Sequence, residues 1–122
     1  MNNTTSELLT VEQFGAVCIV TILEKELTST KAEELSTRLL ALLGEGNITR
    51  FVLDFDCVQF MESACFGALV NFLKWLSKHN GKIAIANVTE NVRFLFAVTK
   101  LDSVFSICAD VPRAMAKVED PL

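Results

Sequence analysis

The chain has 122 residues, 51% of them hydrophobic and 21% charged, with a formal net charge of −4. That length fits one domain, the apolar share suffices for a full core, and the charged share argues against a disordered polymer. Mild acidity without any basic block disfavours nucleic acid and anionic membranes as partners.

Residues 1–7 read as a flexible polar tail ahead of one domain spanning 8–118. Met1 to Thr10 lack the basic start and apolar stretch of a signal peptide. No apolar run approaches the ~20 residues that span a bilayer, so the expected location is the cytoplasm. Residues 8–11 and 16–23 are short runs rich in β-branched residues around a turn ending in Gly15, a hairpin pattern. Residues 16–20 are nearly all apolar, as a strand covered on both faces should be. Thr30 and Glu33 have the spacing of a capping box, which predicts a helix opening there. Ala32, Leu35, Leu39 and Leu42 form its buried stripe, and Gly44 with Gly46 stop it. Residues 51–55 read as a short central strand. A second helix runs from about Ser63 to His79 and ends before Asn80-Gly81.

Residues 82–86 form the next strand. Thr89 or Asn91 then opens a third helix that turns Val92, Leu95, Phe96 and Leu101 to the core. A last strand over 104–107 and a closing helix over 111–118 complete the chain. The order β-β-α-β-α-β-α-β-α predicts an α/β fold, a mostly parallel mixed sheet with an N-terminal hairpin and about four helices.

The parts of an enzyme are missing. There is no glycine-rich phosphate loop, no G-x-S-x-G and no cluster with metal-ligand spacing. The one histidine, His79, ends the helix that Ser63 begins. At 1.5 Å rise per residue it lies roughly 24 Å from Ser63 and about 21 Å from Cys65, out of reach of either nucleophile. It reads as a helix C-terminal cation. Cys18, Cys57, Cys65 and Cys108 are widely spread with no C-x-x-C pair. The first two and the last lie in or beside apolar runs, where a free cysteine packs as a small hydrophobe, and a disulfide framework is the minor alternative. Cys65 sits in the first turn of its helix, where the dipole favours a thiolate but Glu62 and Asp56 oppose it, and ordinary packing outweighs a reactive thiol.

The informative stretch is 54–69, where a buried strand leaves the sheet and delivers Ser63 to a helix start. One reading makes Ser63 an N-cap for free backbone N–H groups. The other makes it a phosphoacceptor, whose phosphate would bring close to two negative charges and three acceptor oxygens. The helix N-terminus would help to hold them, while Glu62 and the aspartates would repel them. Phe66, Leu69, Val70, Leu73 and Leu76 form the core stripe of this helix. Trp75 falls about 180° from Phe66 at ~100° per residue, and Phe94 sits off the core stripe of its own helix. Exposed aromatics of this kind suit a protein interface or a homodimer contact. Burial of Trp75 under the C-terminal helix is the competing expectation.

Phe60-Met61-Glu62-Ser63-Ala64-Cys65-Phe66-Gly67 resembles the F-M-D-S-S-G-L-G signature of bacterial anti-sigma factor antagonists, small proteins of the STAS domain family. The resemblance runs from about residue 8 to 115. It includes Glu26-Leu27 before the first helix, Phe51-Val52-Leu53-Asp54 as the central strand, Asn80-Gly81-Lys82 before the fourth strand, and Val92-Arg93-Phe94-Leu95-Phe96, similar to the family's V-x-R-L-F helix.

The resemblance implies partner switching. The unphosphorylated antagonist binds an anti-sigma factor that is also a serine kinase, and the sigma factor goes free. Phosphorylation of the serine matched by Ser63 then dissolves the complex, and a serine phosphatase resets it. ATP belongs to the kinase, so no cofactor is expected here. Four departures bear on the partner surface of Thr28, Glu62, Ser63, Ala64, Cys65, Phe66, Trp75 and Phe94. Glu62 replaces an Asp, Ala64 stands where a second Ser or Thr is common, Cys65 replaces a Gly, and Thr28 takes the place of an acidic residue. Two other functions compete: a STAS domain serving as a constitutive scaffold or as a subunit of another complex, such as one for lipid transport, and a thiol enzyme using Cys65.

Overall fold

The computed structural model describes residues 8–45 and 48–119. The expected tail over 1–7 and the helix stop at Gly46 lie outside them. In chain order the elements are β1 (Leu9–Phe14), β2 (Val17–Ile22), β3 (Glu26–Leu27), a 3-10 turn (Ser29–Lys31), α1 (Ala32–Leu43), β4 (Arg50–Asp54), β5 (Phe60–Met61), α2 (Ser63–Lys78), β6 (Lys82–Ala86), α3 (Glu90–Val98), a second 3-10 turn (Leu101–Ser103), β7 (Ser106–Cys108) and α4 (Val111–Glu119).

Five strands form one sheet in the order β1-β2-β4-β6-β7. β1 and β2 are antiparallel, and every later neighbour is parallel. β4 is central, as its apolar run predicts. Because side chains alternate across a strand, β2, β4 and β6 each feed two cores. Cys18, Val20, Ile22, Phe51, Leu53, Ile83 and Ile85 join the larger one, with buried residues of α1, α2 and α3. Val17, Ile19, Val52, Ala84 and Ala86 join the smaller one with Ala114 and Val118 of α4. The small side chains of Ala84, Ala86 and Ala114 let α4 lie close to the sheet. Helices on both faces explain why these strands are apolar throughout instead of alternating.

Burial of the helix stripes is what fixes the helices. Leu35, Leu39 and Leu42 of α1, and Cys65, Phe66, Ala68, Leu69, Phe72 and Leu76 of α2, are buried. Phe72 meets Phe51 of the central strand edge-on at 5.1 Å between centroids. Each buried Leu or Phe among them contributes about 1.5–3 kcal/mol. α4 packs on β4, β6 and β7, leaving Trp75 exposed, so the expectation that the C-terminal helix covers it fails.

Three local expectations also differ. The capping box does not form: α1 begins at Ala32 after the 3-10 turn, and its Lys31 N-cap makes no side-chain cap. Thr30 instead shares a 2.9 Å hydroxyl bond with Thr28. Thr89, not Asn91, caps α3, accepting the Val92 N–H at 3.3 Å. The last strand starts at Ser106, because the 3-10 turn over Leu101–Ser103 intervenes and leaves Val104 exposed.

At the end of α2, Asn80 adopts a left-handed φ of 58°. A Cβ on the following Gly81 would lie 2.7 Å from the Thr49 carbonyl and 2.7 Å from Leu76 Cδ2. Only glycine fits this passage into β6.

Candidate functional site

The site is the junction where β4 hands the chain to α2. Phe55 extends the central strand by one bond, its N–H reaching the Ala86 carbonyl at 2.9 Å. Asp54 Oδ1 accepts the Asp56 N–H at 3.1 Å and the Asn87 amide at 3.0 Å, which turns the chain out of the sheet. The first turn of α3 then holds the connection. The Thr89 hydroxyl donates to the Val58 carbonyl at 3.2 Å and the Asn91 amide to the Gln59 carbonyl at 2.8 Å.

From the other side, β3 pairs in parallel with β5, Glu26 opposite Phe60 and Leu27 opposite Met61. The Gln59 and Glu62 N–H groups continue this ladder to the Lys25 and Leu27 carbonyls, at 2.7 and 2.9 Å. Residues far apart in sequence thus fix the entry to α2. Glu62 is its N-cap in extended conformation, with φ −92° and ψ 161°, yet its carboxylate does not cap the helix. Oε1 crosses instead to the Ser29 N–H at 2.5 Å and the Ser29 hydroxyl at 2.8 Å. These two bonds, the backbone one foremost, hold the Glu62 carboxyl below its usual 4.5.

Ser63 is the first residue of the helix proper and is exposed. Among the described residues its hydroxyl makes no hydrogen bond. The N-cap expectation is therefore corrected by one position: Glu62 takes the cap, its carbonyl accepting the Cys65 N–H at 2.9 Å, and Ser63 presents a free hydroxyl at the helix N-terminus. Two residues on, Cys65 is buried and donates from Sγ to the Thr28 carbonyl at 3.3 Å. Burial, with Glu62 nearby, pushes its thiol up rather than down. That chemistry suits packing and opposes a nucleophilic thiolate. Phe66 is buried against Phe96 at 5.0 Å, edge to face.

A STAS domain family model matches residues 9–114. This chain belongs to the STAS domain family. Solved structures with the same fold include an anti-sigma factor antagonist (STAS) domain protein from Planctomyces limnophilus, at 19% identity over 92% of this chain and 98% of that one, with a TM-score of 0.84. The Bacillus cell fate determinant SpoIIAA in its phosphorylated form matches at 18% identity over 90% and 98%, with a TM-score of 0.69. A sulfate transporter family protein from Wolinella succinogenes matches at 16% identity over 86% of each chain, with a TM-score of 0.74.

Within this STAS domain, Thr28, Glu62, Ser63, Ala64, Cys65 and Phe66 gather at one end of α2. Trp75 does not join them. It stands twelve residues along the helix, about 18 Å away. There its ring stacks on His79 at 6.4 Å and carries Lys78 Nζ at 5.0 Å. Phe94 is exposed on α3. Cys57 is exposed, against the expectation of an apolar setting, because it lies in the turn after β4, beyond the covered part of the strand. Sequence reasoning missed Ser29, whose contact with Glu62 spans 33 positions and has no periodic signal. Phe60 and Gly67 bound the family-like motif but were left out of the expected partner surface; Phe60 is exposed just before the site, and an added Cβ at Gly67 would meet nothing within 4 Å. Among the described residues, no three His, Cys, Asp or Glu groups could hold a metal, and no helix is long and apolar enough to cross a membrane.

Proposed function

We propose that this STAS domain is an anti-sigma factor antagonist. In this reading it binds an anti-sigma factor of the serine kinase type while Ser63 is unmodified and is released when Ser63 is phosphorylated. The observation that carries the reading is the exposed, unbonded Ser63 hydroxyl at the first position of α2. A kinase needs a hydroxyl it can reach, and this one leaves no internal bond behind.

The surroundings support a switch that works without unfolding. Phe60, Ala64 and Gly67 make the neighbouring surface apolar and shallow, so a partner's backbone can approach closely. A phosphate placed there keeps the helix N-terminus as a favourable electrostatic partner. It would nonetheless impose close to two charges on a desolvated interface, with Glu62 one residue away. Glu62 supplies standing negative charge at the same edge, and Ser29 holds it in place. A serine phosphatase would return the domain to its binding form. The domain acts in the cytoplasm and contributes no catalytic group of its own.

The likeness to a sulfate transporter family protein favours a second reading, in which the domain is a constitutive subunit of a larger assembly. Phosphopeptide mapping of the protein from its native cells under several growth conditions separates the two. Phosphate on Ser63 that varies with condition supports the switch, and its steady absence supports the subunit.

A further inference from the structure

The two edges of the sheet are unequal. β7 has three residues, a length that offers little to a passing strand. β1 has six, and among the described residues nothing pairs with its outer side. Of the usual guards it carries a single charge, Glu12. There is no proline, no lysine and no bulge in Leu9-Thr10-Val11-Glu12-Gln13-Phe14, while Val11 and Phe14 are 44% and 48% exposed.

The hairpin settles which backbone groups point outward. Phe14 and Val17 close a two-residue turn at Gly15-Ala16, where Gly15 takes the positive φ of 59° that such turns use. A closing pair of this kind is hydrogen-bonded, so Phe14, Glu12 and Thr10 turn their N–H and C=O toward β2. The Leu23 N–H to Leu8 carbonyl bond, 2.8 Å, lies in the same phase. Leu9, Val11 and Gln13 therefore direct their backbone groups away from the sheet.

We propose that a second copy of this chain adds edge to edge along β1, antiparallel, about a two-fold axis at Val11. In that register Val11 faces Val11 of the second copy and Leu9 faces Gln13, each as a hydrogen-bonded pair, for about six new backbone bonds. Thr10 falls opposite Glu12, and Phe14 opposite Leu8, so no like charges meet. Moving the axis to Glu12 would oppose the two Glu12 carboxylates, and moving it to Thr10 would shorten the ladder. The self-complementary register is what selects a second copy over a foreign strand. No residue of the Ser63 site lies on β1, and the dimer does not depend on that site's proposed role.

Sedimentation equilibrium tests this on the full chain, with Val11→Lys, Val11→Pro and Trp75→Ala. The Val11 N–H is outside the β1–β2 ladder, so proline there removes an intermolecular bond and no internal one. Wild type and Trp75→Ala are expected at twice the chain mass, and both Val11 variants at the chain mass. Val11→Lys decides the matter if the proline variant fails to fold. Wild type at the chain mass at every concentration would overturn the proposal, as would a folded Val11→Lys that remains dimeric to the same degree.

Discussion

Glu62 and Ser29 are joined twice through a single atom. Glu62 Oε1 accepts both the Ser29 N–H and the Ser29 hydroxyl, at 2.5 and 2.8 Å. The pair ties the turn before α1 to the N-terminus of α2, next to Ser63. A carboxylate held low in the folded state stabilises the fold above its unfolded pKa, and that stabilisation is lost as pH falls through the lower folded value. We expect Glu62→Gln to melt below wild type at neutral pH. The difference should close once the pH drops well below about 4, where both side chains are neutral. Thermal melts of the two proteins across pH 3–7, a range of about 4 units around the ordinary carboxylate value, measure this directly.

Ser63→Ala should leave stability within about 0.5 kcal/mol of wild type, because the hydroxyl is exposed and caps nothing. Loss of a true N-cap would cost about 1 kcal/mol. Urea unfolding separates these values and checks the placement of Ser63 inside the helix independently of any partner.

The cysteines should differ sharply toward an alkylating reagent. Cys57 is exposed and should label first. Burial pushes the Cys18 thiol up to about 11 and raises that of Cys65, so both should stay protected until the protein unfolds. Mass mapping of a labelling time course at pH 8 reads the order, and early labelling of Cys65 would revive a thiol-based function.

Gly81→Ala should destabilise by about 1–3 kcal/mol, since the new methyl would strike the fixed Thr49 carbonyl. Phe72→Ala should cost about 3–5 kcal/mol by emptying the contact with Phe51. Denaturant unfolding of the two variants gauges how far the α2–sheet packing sets overall stability.

These elements also show where sequence was informative. Runs such as Phe51-Val52-Leu53 and stripes such as Leu35, Leu39, Leu42 announce themselves because burial on one face or two imposes a period. The junction at Ser63 was visible as a strand feeding a helix. Its register was not, since Ser63 is the favoured cap by residue type, and the bonds of Glu62 to Ser29 and Leu27 place the cap one residue earlier. β3 and β5 have two residues each, too few for any period to show. The Thr30–Glu33 spacing promised a capping box, but Thr30 bonds Thr28 instead. The angle of Trp75 on the helix left exposure and cover by the C-terminal helix both open, because α4 could have packed on either side, and the fold exposes it. Grouping it with Ser63 on one surface overlooked the rise along α2, about 18 Å over the twelve residues between them.

In the proposed switch, charge on Ser63 controls binding. Calorimetric titration of wild type, Ser63→Ala and Ser63→Asp into the kinase-type anti-sigma factor of the same cells tests it most directly. Wild type and Ser63→Ala should bind alike, and Ser63→Asp should bind at least about 100-fold more weakly. Equal binding by Ser63→Asp and wild type would contradict the switch.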